Sequence, residues 1–367
     1  MIAGRREQVF EIYNKEESEL LRLLGSFGIK VSSISLVKER FFNHYNIKLS
    51  PGTRISKIER LLPDIGMHLG SRSAPLGSVL MQEGIYRLSV QTAPVESPPI
   101  TELASQLCGD HYLSVALGVK ANGEPLIRDL SKIPNLIIAG TTGSGKSVLL
   151  HSVIISAIVS GAKVYISDPK MVEFDRYRGA QGVESVSSSY DEACEVIESL
   201  TEIMNKRFAI LKKKGSRSAQ DLFLKTGSKL VMEPICLVID EWADLVLQNK
   251  DIQKKLCILA QKGRAAGISV ILSTQRPSSS VISGLIKANF PGRVGLRVAS
   301  LIDSRVILDQ SGAEKISDVG MGLFLDGKSG EPILFRAPNI VDIDYVMTSL
   351  NLRKSIKKTI WGRLGWL

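Results

Sequence analysis

The chain has 367 residues, with 47 Lys and Arg against 37 Asp and Glu and a formal charge of +10. Hydrophobic residues make up 44% and charged ones 23%, a globular balance that excludes wholesale disorder and leaves room for two domains or three small ones. The basic excess points to a polyanionic partner, nucleic acid or an acidic membrane surface, and carries no information on fold.

In chain order, the stripe Leu20, Leu21, Leu23 and Leu24 predicts a helix over 16–26, ended by Gly25 and Gly28. Broken alternation over 29–49 predicts one or two strands, and Ser50-Pro51-Gly52 is turn chemistry. Ile55, Ile58, Leu61, Leu62, Ile65 and Leu69 follow at helical spacing, with Pro63 as a defect in that helix. Residues 79–90 read as a hairpin around Glu83-Gly84. Pro94, Pro98 and Pro99 then mark a linker, which puts a boundary near residue 100. From about 110 to 340 the pattern becomes short apolar runs alternating with helical stretches: 136–139, 164–167, 235–239, 270–273 and 294–298. Such runs belong to a parallel sheet covered on both faces. The stretch LKKKGSR at 211–217 reads as a basic loop or a solvated helix end. Residues 351–367 carry five basic residues and no acidic one, so half of the net charge sits in the tail. Residues 350–367 read either as a basic amphipathic helix lying on a membrane or a protein partner, or as a terminal helix packed on the body.

Cys108, Cys194, Cys236 and Cys257 lack the spacing of a disulfide framework or a zinc module, and His44, His68, His111 and His151 lack metal spacing. No N-terminal signal is expected in MIAGRREQVF, and the longest apolar stretch, 148–159, is too short to span a bilayer. A cytoplasmic chain with reduced thiols is the expectation.

The chemistry concentrates in a few blocks. Gly140, Thr141, Thr142, Gly143, Ser144, Gly145, Lys146 and Ser147 fit GxxxxGK[ST], between an apolar run and an apolar helix. Glycines there let backbone N–H groups wrap phosphate oxygens, Lys146 reaches the β- and γ-phosphates of ATP, and Ser147 offers a hydroxyl to Mg²⁺. The run 236–239 ends in Asp240, suited to the Mg²⁺ shell, and Glu241, suited to polarising water; the alternative for these acids is an N-cap for the helix opening at Trp242. Gln275 ends the next strand and is a candidate γ-phosphate sensor. Asp168-Pro169-Lys170 ends the second core strand, as a functional element or a simple turn.

These blocks, IAGTTGSGKS (138–147), DPKMVE (168–173), VIDEWADL (238–245), LAQKGRAAGI (259–268), STQRP (273–277), VISGLIKAN (281–289) and IDSRVILDQSGAE (302–314), stand in an order that resembles the motor of the FtsK/SpoIIIE family of double-stranded DNA translocases. Residues 16–100 resemble the smaller α domain preceding that motor. Trp242 stands where the family usually has Phe, and Ser311 where it usually has Ala. The resemblance implies an α/β chain: a small α+β domain (1–100), a RecA-like P-loop ATPase core with helices on both faces of a parallel sheet (101–340), and a basic tail (341–367). It further implies a homohexameric ring that hydrolyses ATP with Mg²⁺ and moves double-stranded DNA through its channel. Arg264 is then the choice for an arginine finger reaching a neighbour's ATP, with Arg276, Lys287 and Arg305 in loops that line the channel and touch phosphates. The family's membrane domain and winged helix have no counterpart here, so a free-standing motor of a mobile element or accessory transfer process is expected. A coupling ATPase feeding a conjugation or packaging apparatus, a type VII-like protein-export ATPase and an ATP-regulated DNA clamp are the alternatives.

Overall fold

A computed structural model describes residues 14–72, 75–80, 83–107, 111–328 and 330–352. The chain divides into two compact units: one runs up to Val95 and takes in Ala121–Gly123, the other holds Glu96–Lys120 and the chain from Glu124 onward. Pro94, Pro98 and Pro99 flank that division.

The first unit is α+β. Helix α1 (Lys15–Ser26) opens with a capping box: the Asn14 side chain accepts from the Glu17 N–H at 2.9 Å while Glu17 accepts from the Asn14 N–H at 2.8 Å. Its buried face is Leu20 and Leu24, one turn apart. Gly25, expected to end the helix, lies inside it; Gly28 at φ +66° makes the stop, and the Ile29 N–H turns back to the Leu24 carbonyl at 2.9 Å. Strands β1 (Val31–Lys38) and β2 (Phe42–Leu49), helix α2 (Ile55–His68), and strands β3 (Leu76–Leu80) and β4 (Ile85–Gln91) complete the unit. The strands form an antiparallel sheet in the order β1-β2-β4-β3. Leu20, Leu24, Ile47, Ile58, Ile65 and Leu88 are fully enclosed in its core, and each such side chain contributes about 1.5–3 kcal/mol of burial. Pro63 does not break α2, because it is exposed and the carbonyl its ring deprives of a donor can turn to water.

The second unit runs α3 (Ile100–Ser105), β5 (Ser114–Lys120), β6 (Pro125–Asp129), β7 (Asn135–Ala139), α4 (Lys146–Val159), β8 (Lys163–Ser167), β9 (Val183–Ser187), α5 (Tyr190–Lys214), α6 (Ala219–Thr226), β10 (Ile235–Ile239), α7 (Trp242–Gln248), α8 (Asp251–Gly263), β11 (Ile268–Thr274), α9 (Gly284–Asn289), β12 (Gly292–Leu296), α10 (Leu301–Leu308), β13 (Met321–Leu325), β14 (Ile333–Arg336) and α11 (Ile343–Ser349). Ten strands make one sheet, in the order β6-β5-β14-β13-β12-β7-β11-β10-β8-β9. From β12 to β9 all pairs are parallel; the other flank is antiparallel. Every residue of β7, β10 and β11 is buried, as strands covered on both faces require. Helix α4 is buried almost all round and sits as a core rod. The architecture is the expected RecA-like one, extended by four antiparallel strands.

Of the two readings of 211–217, the structure shows the helix end. Residues 211–214 are the last turn of α5 rather than a loop, with three lysines at the negative end of the helix dipole and Gly215 at φ +61° as the stop. Residues 353–367, and with them most of the basic tail, lie outside the described residues; Leu352 is buried, and its carbonyl accepts the Gln181 N–H at 2.8 Å. No helix among the described residues is long and apolar enough to cross a membrane.

Candidate nucleotide-binding site

The site forms where β7, β11 and β10, central in the sheet, end side by side. Strand β7 stops at Ala139 and the chain wraps through 140–145 before α4 begins at Lys146. Glycines are required by space: a Cβ on Gly140 would stand 2.5 Å from Ser144 Oγ, and one on Gly145 would meet the Gly320 backbone at 3.0 Å. Gly143 and Gly145 also hold φ of +74° and +96°, the left-handed region. The loop is pinned from β12's end: the Thr141 N–H and hydroxyl both donate to the Arg297 carbonyl, at 2.9 and 3.1 Å. From beyond α10, the Gly320 N–H donates to the Ser144 carbonyl at 2.8 Å. Ser144 Oγ is buried with no hydrogen-bond partner. The open N–H groups of a 14-residue helix point into this cradle, an arrangement that favours an anion.

Side chains from three strands converge there. The Lys146 ammonium, on a residue only 5% exposed, donates to Asp240 Oδ1 at 2.7 Å and to Ser273 Oγ at 2.8 Å. Glu241 is 3% exposed and accepts the Thr274 hydroxyl at 2.7 Å and the Gln275 N–H at 3.1 and 3.2 Å, one distance to each oxygen. The Thr142 hydroxyl donates to Gln275 Oε1 at 3.0 Å. Lys146, Asp240, Glu241 and Gln275 are thus brought together beyond the ends of β7, β10 and β11, in two adjacent hydrogen-bonded groups. Ser273 and Thr274 join them without having been singled out in the sequence, where they read as the polar end of an apolar run. Arg297 was missed as well; its guanidinium reaches the Ser317 carbonyl at 3.3 Å and lies against Gly143.

Glu241 occupies the N-cap of α7, yet its side chain makes no cap hydrogen bond. Trp242, the next residue, is buried and donates from its indole nitrogen to the Val281 carbonyl at 3.1 Å. On the far side of β10, Asp168 ends β8 with its carboxylate buried and accepting from the N–H groups of Lys170, Glu173 and Phe174 at 3.0–3.2 Å. That turn brings Lys170 Nζ to 4.0 Å from Glu241 Oε2 and 3.8 Å from Asp244 Oδ2.

Phe174 and Tyr177 carry the same segment onto α4, where His151 Nδ1 meets the Tyr177 hydroxyl at 2.9 Å and the His151 ring packs on the Phe174 ring, centroid to centroid 4.7 Å. Burial, with the nearby Arg176 charge adding to it, pushes His151 from the usual 6.5 down to about 3. An unfolded chain takes up this proton below about pH 6.5, which the folded chain refuses until about 3. The stability given by the neutral ring is therefore complete above pH 6.5 and drains away as pH falls toward 3. His151→Phe is expected to flatten that limb of a Tm-against-pH curve; an unchanged slope would assign it to other groups.

Arg264 is not brought to this site. It follows α8 at the opposite edge of the sheet, where β11 begins; it is exposed and donates from Nε to the Ser131 carbonyl at 3.2 Å. Arg276 is exposed in the loop after Gln275, as expected. Lys287 and Arg305 are not in loops: Ser283 and Ser300 cap α9 and α10, which carry them. Lys287 is also engaged, pairing with Asp309 at 2.8 Å beside Arg293. Burial pushes the Asp309 carboxyl up, but hydrogen bonds from Lys287 and Arg293 outweigh it and hold it below the usual carboxylate range. Among the described residues no cluster of three or more His, Cys, Asp or Glu could hold a metal. Cys194, Cys236 and Cys257 are free, and Cys108 lies outside the described residues.

Residues 108–279 match the FtsK/SpoIIIE family. The DNA translocase FtsK of Streptococcus pneumoniae is 33% identical over 87% of this chain and 44% of its own length. DNA translocases SftA and SpoIIIE of Bacillus subtilis are each 31% identical, over 91% and 94% of this chain and 37% and 47% of their own lengths. The chain thus spans less than half the length of these relatives. Among solved structures, the monomer of the pCW3 conjugation coupling protein TcpA with ATPγS superposes with a TM-score of 0.67 at 23% identity, covering 92% of this chain and 99% of that one. The cytoplasmic domain of the Thermomonospora curvata type VII secretion ATPase EccC gives 0.58 at 20% identity, over 68% of this chain and 33% of that one. These likenesses agree with the P-loop core described above. With its phosphate loop, its paired acids and the polar end of β11 on one stretch that also matches by sequence, the chain carries an FtsK/SpoIIIE family domain over residues 108–279.

Proposed function

We propose that this chain is an ATPase that translocates double-stranded DNA, working as a homohexameric ring with the DNA in its channel and ATP bound between subunits. The observation that carries the reading is the convergence of Lys146, Asp240, Glu241 and Gln275 on the phosphate loop. The DNA translocases that align over about nine-tenths of the chain support the substrate. In this reading residues 140–147 cradle the triphosphate, and Lys146 leaves its carboxylate partner to hold the β- and γ-phosphates. The half-buried Ser147 hydroxyl and Asp240 are hard oxygen donors of the kind Mg²⁺ takes in small number beside phosphate oxygens, so the residues fit that ion. When bound, Mg²⁺ neutralises charge on the transferred phosphoryl group. Glu241 accepts the proton of the attacking water, and Gln275, bonded to Thr142 of the phosphate loop, senses loss of the γ-phosphate.

The edge of the sheet opposite the phosphate loop presents Arg264, which suits a finger that serves a neighbouring subunit rather than its own. Arg264→Ala is expected to lower hydrolysis sharply while ATP binding persists; unchanged turnover would remove the role. Arg276 and Arg305, exposed on the loop after β11 and on α10, are the proposed phosphate contacts, with Lys287 subordinate because Asp309 already holds it. The test of the whole reading is ATP hydrolysis with and without duplex DNA, beside displacement of a triplex-forming strand. Stimulation and displacement support it, stimulation without displacement leaves only a DNA-bound ATPase, and hydrolysis indifferent to DNA overturns it.

A further inference from the structure

We propose that Thr274 and Lys170 are positioning residues that clamp the Glu241 carboxylate from the two strands flanking β10, an inference that rests on the reading of Glu241 as the base in ATP hydrolysis. A short acid such as Asp at a helix N-cap ordinarily spends its side chain on the first free N–H groups of that helix. Glu241 does not. Its carboxylate turns sideways instead, toward the end of β11, where two donors meet it.

The first jaw is directional. A threonine hydroxyl has one proton to donate and lone pairs to accept with. Thr274 Oγ1 accepts the Arg276 N–H at 3.1 Å, which turns its proton toward Glu241 Oε1 at 2.7 Å. The residue is 1% exposed on a central strand and β-branched, so its χ1 is fixed by the sheet. The Gln275 N–H adds a second donor that bridges both carboxylate oxygens. Successive residues at and just past the end of β11 divide the labour: Ser273 serves Lys146, Thr274 serves Glu241, and the Gln275 side chain serves Thr142.

The second jaw is electrostatic. Lys170 Nζ faces Oε2 at 4.0 Å and is shared with Asp244 at 3.8 Å. Its backbone is held because the buried Asp168 carboxylate gathers three N–H groups of the turn, and Phe174 packs on His151 of α4. The Lys170 side chain is 46% exposed, so salt screens this jaw and its effect is the smaller one. Thr274, Gln275 and Lys170 supply three donors to a carboxylate with about four lone-pair sites, which leaves capacity for a water proton. Without them a carboxylate on a flexible two-carbon stem would rotate away from the productive geometry, and a misplacement of this kind costs on the order of 10²-fold in rate.

The experiment uses the full chain and compares kcat and KM for ATP in wild type, Thr274→Val, Thr274→Ser, Lys170→Met and the Thr274→Val/Lys170→Met pair. The expected result for Thr274→Val is a kcat lower by about 10-fold or more with KM within about two-fold. Thr274→Ser, which keeps the hydroxyl, should recover most of the loss. Lys170→Met should cost less, and its deficit should shrink as salt is raised. Because both residues act through one carboxylate, the pair should fall short of the product of the single losses. Equal losses in the Val and Ser variants, a loss carried by KM, or multiplicative singles would overturn the clamp. A wild type that hydrolyses ATP beside a Thr274→Val that matches it overturns the clamp alone. A wild type without hydrolysis overturns the reading beneath it and the clamp with it.

Discussion

Glu241→Gln is expected to bind ATP as the wild type does while hydrolysing it on the order of 10²–10⁴-fold more slowly, the range a positioned general base contributes. The amide has the shape of the carboxylate and keeps an oxygen that can accept the Thr274 hydroxyl and the Gln275 N–H, so the end of β11 has no reason to move. The capacity to take a proton is lost, and with it the weaker, solvent-screened attraction to Lys170. Single-turnover hydrolysis measured beside equilibrium binding of a labelled nucleotide checks this. Lost binding would make Glu241 a structural residue, and full turnover would move the base elsewhere.

Lys146→Ala is expected to abolish turnover and also to lower stability, which are separate effects with separate readouts. Lys146 and Asp240 are 5% and 6% exposed, and the ammonium is the partner that satisfies the buried carboxylate. Removing one member of such a pair leaves an uncompensated charge, at a cost of about 3–5 kcal/mol. For a unit of this size each kcal/mol moves Tm by roughly 2–4 °C, so a fall of several degrees should be seen by calorimetry. Adding Asp240→Asn removes the stranded charge, and should return much of the Tm without returning any activity. If the double variant stayed as unstable as the single one, the pair would not be the source of the loss. Persistent turnover in Lys146→Ala would dismiss the phosphate-loop assignment itself.

The inner parallel strands of the large sheet were legible because they are buried and read as nearly unbroken apolar runs, whereas the parallel edge strand β9, with the sequence VESVS, was not. Nor was the antiparallel flank. Strand β5 opens on Ser114 and carries Gly118 inside its length, β6 opens on Pro125, and β14 has only four residues. Such segments become strands through partners far away in sequence, as when Phe335 and Arg336 pair with Lys120 and Val119. Local propensity carries little of that information. The site shows the same division. Gly140 to Ser147, Asp240 and Glu241 announce themselves because phosphate chemistry demands those residue types at fixed spacing. Ser273 and Thr274 do not, since a short hydroxyl residue in a buried strand is commonplace until the neighbouring strands show what it faces. Lys287 and Arg305, which the resemblance put in loops, lie on α9 and α10, helices of six and eight residues that are too short to show a clear apolar period.

One contact bears on how far this protein can be trimmed. Gly320 lies against Gly145 so closely that a side chain at Gly145 would meet the Gly320 backbone at 3.0 Å, and both glycines hold positive φ. The segment that backs the phosphate loop therefore stands well downstream of residue 279, where the family match stops. So does β12, which covers the outer edge of β7. A chain cut at residue 279 would keep every residue that touches nucleotide in the proposed mechanism, yet it would bare the edge of the strand leading to Lys146. A row of open N–H and carbonyl groups beside a loop without its backing is a template for aggregation. The smallest part of this protein expected to work as a purified unit is thus set by sheet edges, and it is longer than the 108–279 family match.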